Sequence, residues 1–548
     1  GPAVIIHDGA TSIIEPGWHA TRCADGSLLA THGPSDTRQT FDASDPAHIE
    51  VFNRRFLSIC REMGTVLRHT ATSINIRERQ DYSCAIFDTA GGLVANRPHI
   101  PVHPGTIGAS VSRVLEVHGD TMRDGDAYLI NDPATGGTHL PDLTVVSPVF
   151  ERGQLSFIVA SRAHHVDVGG TTPGSMPPDS TQIDEEGVVF DAVPVLIRGV
   201  LQEAAIVSAL TESTYPARLP SVVLDDLRSQ LAANARGRTL LEALTAEVGS
   251  DGLAQSMQAI RANAARCVRE AIARFPRGRA EVSTDDAGCV CVEIEPTADG
   301  IRIDFAGTSP QRPGNTNAPE AVVRAAVLYV LRCVVADDIP LNDGCLDPVE
   351  IRIPKGSMLS PLAGAAVVGG NVETSQIVAD ALLMAFGLQA GSQGTMNNLT
   401  FGTVNWQYYE TICGGGGAGE HFDGASGVHT HMTNSRMTDP EVLEDRFPIR
   451  LEEFAIRRGS GGLGSHAGGD GVVRSLRFLQ EAEVSLLSGR RKAGPPGIYG
   501  GGSGMSGQQF IQVGSGNGQP LGGTFRVPVD ANTIITIETP GGGGFGQE

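Results

Sequence analysis

The sequence predicts a large α/β mixed (α+β) fold of several layers, closed at its C-terminal end by a glycine-rich β region. Three observations predict it. Apolar residues recur at helical spacing in Ile49, Phe52, Phe56, Ile59, Met63 and Val66, and again in Leu253, Met257, Ile260, Ala264, Cys267, Ala271 and Phe275. Between these stripes, residues 126–170 alternate β-rich runs with loops of Gly, Asp and Pro. Glycine makes up 69 of the 548 residues, well above the usual ~7%, and its long runs lie after residue 412.

In chain order, Val4 to Ile6, Thr11 to Ile14, Trp18 to Arg22 and Leu28-Leu29 read as short strands in a strip too short to make its own core, so the strip packs on something else. A start at Gly1-Pro2 without Met fits a processed product, a tagged chain or one piece of a longer polypeptide. Residues 33–47 are polar and turn-rich and read as a linker. Tyr82 to Phe87 is β-like and turns through Gly91-Gly92 into Leu93 to Ala95. Strands follow at Ala127 to Ile130, Leu143 to Val149 and Leu155 to Ala160. Residues 219–275 are helical up to Pro276, strands resume at 289–305, and further helices cover Pro319 to Val335 and Ser375 to Leu388. The division expected is 1–33 as a separate strip and 34–548 as the main body, with 34–410 carrying the chemistry and 411–548 the glycine-rich β region.

A formal net charge of −21, from 41 Lys+Arg against 62 Asp+Glu, argues against nucleic acid or an anionic membrane as partner, since phosphate contacts need clustered cations. No run approaches the ~20 apolar residues of a membrane helix and no signal peptide opens the chain, so a cytoplasmic protein is expected. The nine cysteines form no CxxC pair; Cys289 and Cys291 share one face of a strand and read as buried thiols. Gly459-Ser-Gly461-Gly-Leu-Gly464 matches GxGxxG, but no helix follows it, and there is no GxxxxGK[ST] loop. If ATP is used, this chain does not hold it. The glycine runs after residue 412 then read as turns of a β-rich tail.

Of the fifteen histidines, none lies between His165 and His421, whereas His99, His103, His139, His164 and His165 crowd together. Two H-x-x-D units, His139 to Asp142 and His164 to Asp167, sit at strand ends and offer imidazole and carboxylate ligands for Zn, Mn or Fe. A lone H-x-x-D is usually a turn with Asp bonded to backbone. Here glycine pairs flank both units, Gly136-Gly137 and Gly169-Gly170, and would let backbone approach an ion or ligand closely. Arg77-Glu78-Arg79 is equally a solvated charged turn, and His99 and His103 line a pocket or brace it. His429 and His431, on one strand face, serve substrate contact or a buried hydrogen-bond network.

Several long runs carry a family resemblance. Asn75-Ile-Arg-Glu-Arg-Gln-Asp81-Tyr-Ser-Cys-Ala-Ile-Phe87, Pro98-His-Ile-Pro-Val-His103, Gly136-Gly-Thr-His-Leu-Pro-Asp142, His164-His-Val-Asp-Val-Gly-Gly170 and Gly369-Gly-Asn-Val-Glu-Thr-Ser-Gln376 resemble the hydantoinase B family. Gly394-Thr-Met-Asn-Asn398, Tyr408-Tyr-Glu-Thr411 and Gly427-Val-His-Thr-His-Met-Thr-Asn434 look most like the C-terminal half of ATP-dependent 5-oxoprolinases, over residues 45–548. Residues 1–33 then resemble the end of the hydantoinase A-type half.

The resemblance implies a division of labour. An A-type half of actin-like ATPase fold binds ATP and Mg and phosphorylates a lactam or carbonyl oxygen, and the B-type half completes the reaction, in a homo-oligomer of the A/B unit. It implies a divalent metal, Zn or Mn, on Glu78, His139, Asp142 and His164. Asp81, Asp167 and His165 are then catalytic candidates, as general base or as orienters of ligand imidazoles, and His99, His103, Glu373 and His429 are substrate-binding candidates. The favoured reading is the B-type half of a 5-oxoprolinase. Hydantoin or caprolactam hydrolysis, a ketone carboxylase subunit and a purely structural partner of the A-type half are the alternatives.

Overall fold

The computed structural model describes residues 3–7, 10–14, 17–32, 42–43, 45–97, 100–336 and 339–547. Its organising layer is a seven-stranded antiparallel sheet in the spatial order Val200–Leu201, Val193–Ile197, Ala127–Ile130, Asp142–Glu151, Gln154–His164, Tyr82–Phe87, Leu93–Arg97. Successive residues of a strand point to opposite faces, and both faces here are apolar. Phe157, Val159 and Ala163 join a core with Phe56, Met63 and Leu67 of the helix Pro46–Thr70 and with Leu241 and Ile260 of the helix Pro220–Ile272. Ile158 and Ala160 face the other way, onto Ile107, Val111 and Val114 of the helix Pro104–His118. The helix Pro46–Thr70 starts where Asp45 accepts a hydrogen bond from the Ala47 amide and Pro46 occupies the first turn.

The 219–275 stretch is helical as its spacing predicts, but it is interrupted at Gly249, whose φ of 79° and ψ of 161° lie outside the helical region. A second layer packs the helices Glu320–Val334 and Ser375–Ala385 on the sheet Gly278–Ser283, Cys289–Pro296, Ile301–Asp304, Val349–Arg352. The second of these helices stops short of the expected Leu388 and is preceded by a π-helical turn, Gly370–Thr374. Cys289 and Cys291 share a face, with sulfurs 3.7 Å apart, but only Cys291 is fully buried. Two more sheets, one built around Asn398–Gly402 and Ala482–Leu487 and the other around Gly471–Phe478 and Thr533–Glu538, share a third core. Ahead of the main body, Ala3–His7 pairs with Ala10–Ile14 and Trp18–Arg22 with Leu28–His32, leaving Val4, Ile6 and Ile13 exposed as a strip without its own core would. The junction expected at residues 33–47 falls mostly outside the described residues.

The glycine runs are not simple turns. Segments around 414–419, 459–471, 497–507 and 541–546 run against one another and exchange backbone bonds: Gly469 donates to the Gly416 carbonyl, Gly542 to Gly469, Gly462 to Gly542 and Gly544 to Gly502. A methyl group on Gly542 would sit 1.9 Å from the Gly416 carbonyl oxygen, and one on Gly469 2.0 Å from that of Ala425. The composition is therefore set by backbone-to-backbone contact in which no side chain fits. The pairs near the H-x-x-D units behave alike: methyls on Gly137 and Gly169 would strike the carbonyls of Asn131 and Tyr215. They admit neighbouring protein backbone, not an ion or ligand.

Gly542→Ala is expected to lower stability by about 3 kcal/mol or more, read by chemical denaturation. Gly416→Ala, whose methyl meets nothing closer than 3.4 Å, is expected to be far milder. Equal effects would contradict the account of the glycine runs.

Candidate metal centre

Three strand ends meet at one edge of the central sheet. Asp142 opens its strand and is the register partner of His164, which closes the next. Asp81 immediately precedes Tyr82–Phe87, and its carbonyl accepts the His164 amide at 3.0 Å. His139 reaches the same point from the loop, whose turn is closed by the Asp142 amide bonding back to the His139 carbonyl.

The side chains of His139, Asp142 and His164 are buried, and one ligand atom from each lies within 4.8 Å of the others. His139 Nε2 faces His164 Nδ1 at 3.1 Å, and His164 Nδ1 faces Asp142 Oδ1 at 3.4 Å. Two atoms bound to one ion at ~2.1 Å lie roughly 3.0–3.4 Å apart at octahedral or tetrahedral angles, so this spacing fits. Asp142 Oδ1, His164 Nε2 and Asn371 Oδ1 are buried without hydrogen-bond partners. Unpartnered buried polar atoms are costly and rare. The three residues line a cavity of about 20 Å³, room for about one water-sized body. Two imidazoles and a carboxylate suit Zn or Mn, so the residues present fit the metal that the resemblance implies.

The surroundings fix these groups. Asp142 Oδ2 accepts from Thr138 Oγ1 at 2.7 Å and lies 3.4 Å from His103 Nε2, while His103 Nδ1 meets Ser83 Oγ at 3.1 Å. Burial by itself would raise the Asp142 pKa, but the neighbouring His139 and His103 hold it well below the usual carboxylate range. The Asn371 side-chain amide bonds His139 Nδ1, and Tyr409 stacks on His164 with ring centres 4.7 Å apart. Arg79, fully buried, lies over Tyr409 and places Nη1 3.6 Å from Asp81 Oδ2.

The expected site residues separate into two groups. His103, His139, Asp142, His164 and Asp81 all line the cavity. Glu78 does not line it; half-buried at the end of the turn Ile74–Arg77, its carboxylate accepts no hydrogen bond among the described residues. His165 points away from the cavity, its Nε2 2.9 Å from Gln230 Oε1 of the long helix, because adjacent strand residues face opposite ways. Asp167 is consumed by structure: Oδ1 accepts from Ser175 Oγ and the Gly169 amide, and Oδ2 from the Arg218 amide and Gln407. Glu373 faces Met396, Asn398 and Gly489 and is held protonated up to about pH 7 by burial. Both ring nitrogens of His429 are buried without partners, and burial, aided by Arg79, lowers its pKa to about 4. His99 lies outside the described residues. Asn371 and Tyr409 belong to runs that carry the family resemblance, but no spacing rule singles them out.

The family model for hydantoinase B/oxoprolinase matches residues 45–548. The chain belongs to this family. It is 45% identical over 575 residues to 5-oxoprolinase 1 of Arabidopsis thaliana, covering 100% of this chain and 45% of that protein. It is 42% identical over 587 residues to the 5-oxoprolinase of Saccharomyces cerevisiae, covering 100% of this chain and 46% of that protein. The chain thus spans just under half the length of these curated relatives. Its fold matches that of the ATP-dependent caprolactamase from Pseudomonas jessenii with a TM-score of 0.83 at 22% identity, covering 92% of each chain. It matches an acetone carboxylase with a TM-score of 0.83 at 19% identity, covering 93% of this chain and 78% of the other. The mixed, hydantoinase B-like fold expected from the sequence is therefore the fold observed. No helix among the described residues is long and apolar enough to cross a membrane.

His139→Ala and Asp142→Asn are expected to lose about one equivalent of divalent metal per chain by elemental analysis, whereas His165→Gln keeps it. Metal lost from His165→Gln and retained in both others would reverse the ligand assignment. His429 binds its proton near pH 6.5 when unfolded and near 4 when folded, so its contribution to stability, full above 6.5, is lost as pH falls toward 4. His429→Asn should flatten the pH dependence of the unfolding midpoint across that interval.

Proposed function

We propose that this chain is the metal-bearing B-type half of an ATP-dependent cyclic-amide hydrolase, a 5-oxoprolinase that opens 5-oxo-L-proline to L-glutamate. The observation that carries the reading is the buried His139, Asp142 and His164 set around an ion-sized cavity, in a chain 42–45% identical to proteins named 5-oxoprolinase. ATP and Mg belong on an A-type half, which supplies the phosphorylated lactam. His139, Asp142 and His164 would hold the Zn or Mn, with Glu78 free to swing in as a further ligand. The acidic composition suits a cytoplasmic A/B unit assembled as a homo-oligomer.

An unstrained amide is a poor electrophile, and phosphorylating its oxygen makes the ring carbon an imidate carbon that water attacks. The metal, when bound, supplies a Lewis acid that lowers the pKa of water toward ~7. Asp81, at the cavity wall, passes one proton of the attacking water to the imidate nitrogen and then the hydroxyl proton of the tetrahedral carbon to the same nitrogen as the C–N bond breaks, so that it leaves as the amine. The acyl phosphate so formed takes up a second water to give the open-chain amino acid and phosphate. Arg79, whose Nη1 lies 3.6 Å from Asp81 Oδ2, offsets charge building at the cavity. His103 and Asn371 orient Asp142 and His139, and Tyr409 fixes the plane of His164. Asp167 and His165 take no part, since their polar atoms face the fold and not the cavity.

The complete protein, with its A-type half, is expected to consume 5-oxoproline only with ATP, to stop on chelation and to recover with Mn or Zn. Asp81→Asn should cost roughly 10²- to 10⁴-fold in kcat with metal content unchanged. Turnover of 5-oxoproline by this chain alone without ATP, or full activity of Asp81→Asn, would overturn the scheme.

A further inference from the structure

The sheet of the second layer carries a group of metal-ligating side chains on the face turned away from its helices. In the strand Cys289–Pro296, Val290, Val292 and Ile294 point into the core shared with the helices Glu320–Val334 and Ser375–Ala385, so Cys289 and Cys291 point outward. Glu281, on the neighbouring strand Gly278–Ser283, is the register partner of Cys291 and stands on the same face. One ligand atom from each of Glu281, Cys289 and Cys291 lies within 4.8 Å of the others.

The spacing of the sulfurs points to an ion. They are 3.7 Å apart, and two sulfurs bound to one zinc ion at ~2.3 Å and a tetrahedral angle lie about 3.8 Å apart. The backbone beneath them is fixed from both sides. The ladder to Gly278–Ser283 holds one edge. On the other, the Thr308 hydroxyl accepts from the Cys291 amide and donates to the Cys291 carbonyl, both at 3.1 Å, and Ser309 Oγ accepts from the Cys289 amide at 3.0 Å. A β-carbon on residue 307 would sit 3.7 Å from Cys291 Sγ; with glycine there, that side of the sulfur carries no side chain. The other carboxylates of this face are taken, Glu293 by Arg277 and Glu295 and Glu350 by Arg302. Glu281 gives Oε1 to Arg279 and keeps Oε2 without a hydrogen bond among the described residues. Cys291 is buried, Cys289 partly so and Glu281 exposed, so an ion comes to the sulfurs from solvent past the carboxylate. Burial, then the Cys289 thiol, pushes the Cys291 thiol up to about 11, so it stays neutral and a poor nucleophile until a cation displaces its proton.

We propose that Glu281, Cys289 and Cys291 form an exchangeable site for a thiophilic divalent cation of the zinc and cadmium class, held by two thiolates and one carboxylate with water in the fourth position. Binding breaks two S–H bonds, forms two metal–sulfur bonds and releases both protons to solvent. The site lies on a different sheet from Asp142 and His164, offers softer ligands, and does not depend on the lactam-hydrolase reading. When occupied it ties two neighbouring strands together and stabilises the folded chain in step with the free ion concentration.

The test titrates the complete protein, reduced and treated with chelator, with cadmium chloride, whose thiolate complexes absorb in the ultraviolet by sulfur-to-metal charge transfer. The wild type is expected to develop a band that saturates and that zinc chloride abolishes by displacing the cadmium. Cys289→Ser, at a partly exposed strand end, is expected to lose half of that band or more. Glu281→Gln, a surface change, is expected to weaken cadmium binding about 10-fold or more, since even the outer-sphere partners of a metal are worth that much. Cys333→Ser, which removes an exposed thiol elsewhere, and Asp142→Asn are expected to keep the band and its midpoint. A wild type without the band, a band of the same size and midpoint in Cys289→Ser, or an unchanged midpoint in Glu281→Gln would overturn the site. The readout needs neither ATP nor turnover, so its failure leaves the hydrolase reading standing.

Discussion

The whole site hangs on one cross-strand pair. Asp142 and His164 are opposite each other where two antiparallel strands end, so sheet register, set by the apolar faces of both strands, also sets the distance between a carboxylate and an imidazole. A slip of one residue would turn every side chain of a strand to the other face and bring His165 to the cavity in place of His164. The carboxylate is buried, and an isolated buried charge is prohibitively costly. His103, His139 and Thr138 offset that cost on Oδ2, leaving Oδ1 directed at the gap between the imidazoles. The helices on both faces of the sheet keep the register fixed and the strand ends dry.

The glycine-rich region serves the same end by a different route. Its interlocked backbones anchor the segment after the Ser375–Ala385 helix: Gly391 donates to the Pro496 carbonyl and Gln393 to that of Gly415. That segment then delivers Met396 to the metal cavity. A bundle held by main-chain bonds at contact distance has little freedom to drift, and a site that positions reacting groups needs such rigidity. The expectation that these runs were turns failed because a glycine run says only that no side chain is tolerated. Whether a bend or another backbone excludes it is decided by segments far away in sequence.

Much of the architecture was legible because it is periodic. The 3.6-residue stripes located the helices at Pro46–Thr70 and Pro220–Ile272, and the short apolar runs located the strands of the central sheet. The first H-x-x-D unit was legible as chemistry since both of its members reach the cavity. The second misled: His164 ends a strand but Asp167 lies beyond it, where the chain turns and the carboxylate is absorbed by Gly169, Ser175 and Arg218. Asn371 contacts His139 from 232 residues away, and Tyr409 reaches His164 from a different sheet, so no local spacing could announce either. The recurring runs that carry the family resemblance marked those residues as notable without saying what they touch.

The proposed role as a B-type half requires an ion at His139, Asp142 and His164. The most direct measurement is a crystal structure of the complete enzyme with anomalous data collected across the Zn and Mn absorption edges. The account predicts one peak, specific to one of those edges, between His139 Nε2, His164 Nδ1 and Asp142 Oδ1. Crystals of active enzyme with no peak there, or with the ion bound at a different group of residues, would contradict it.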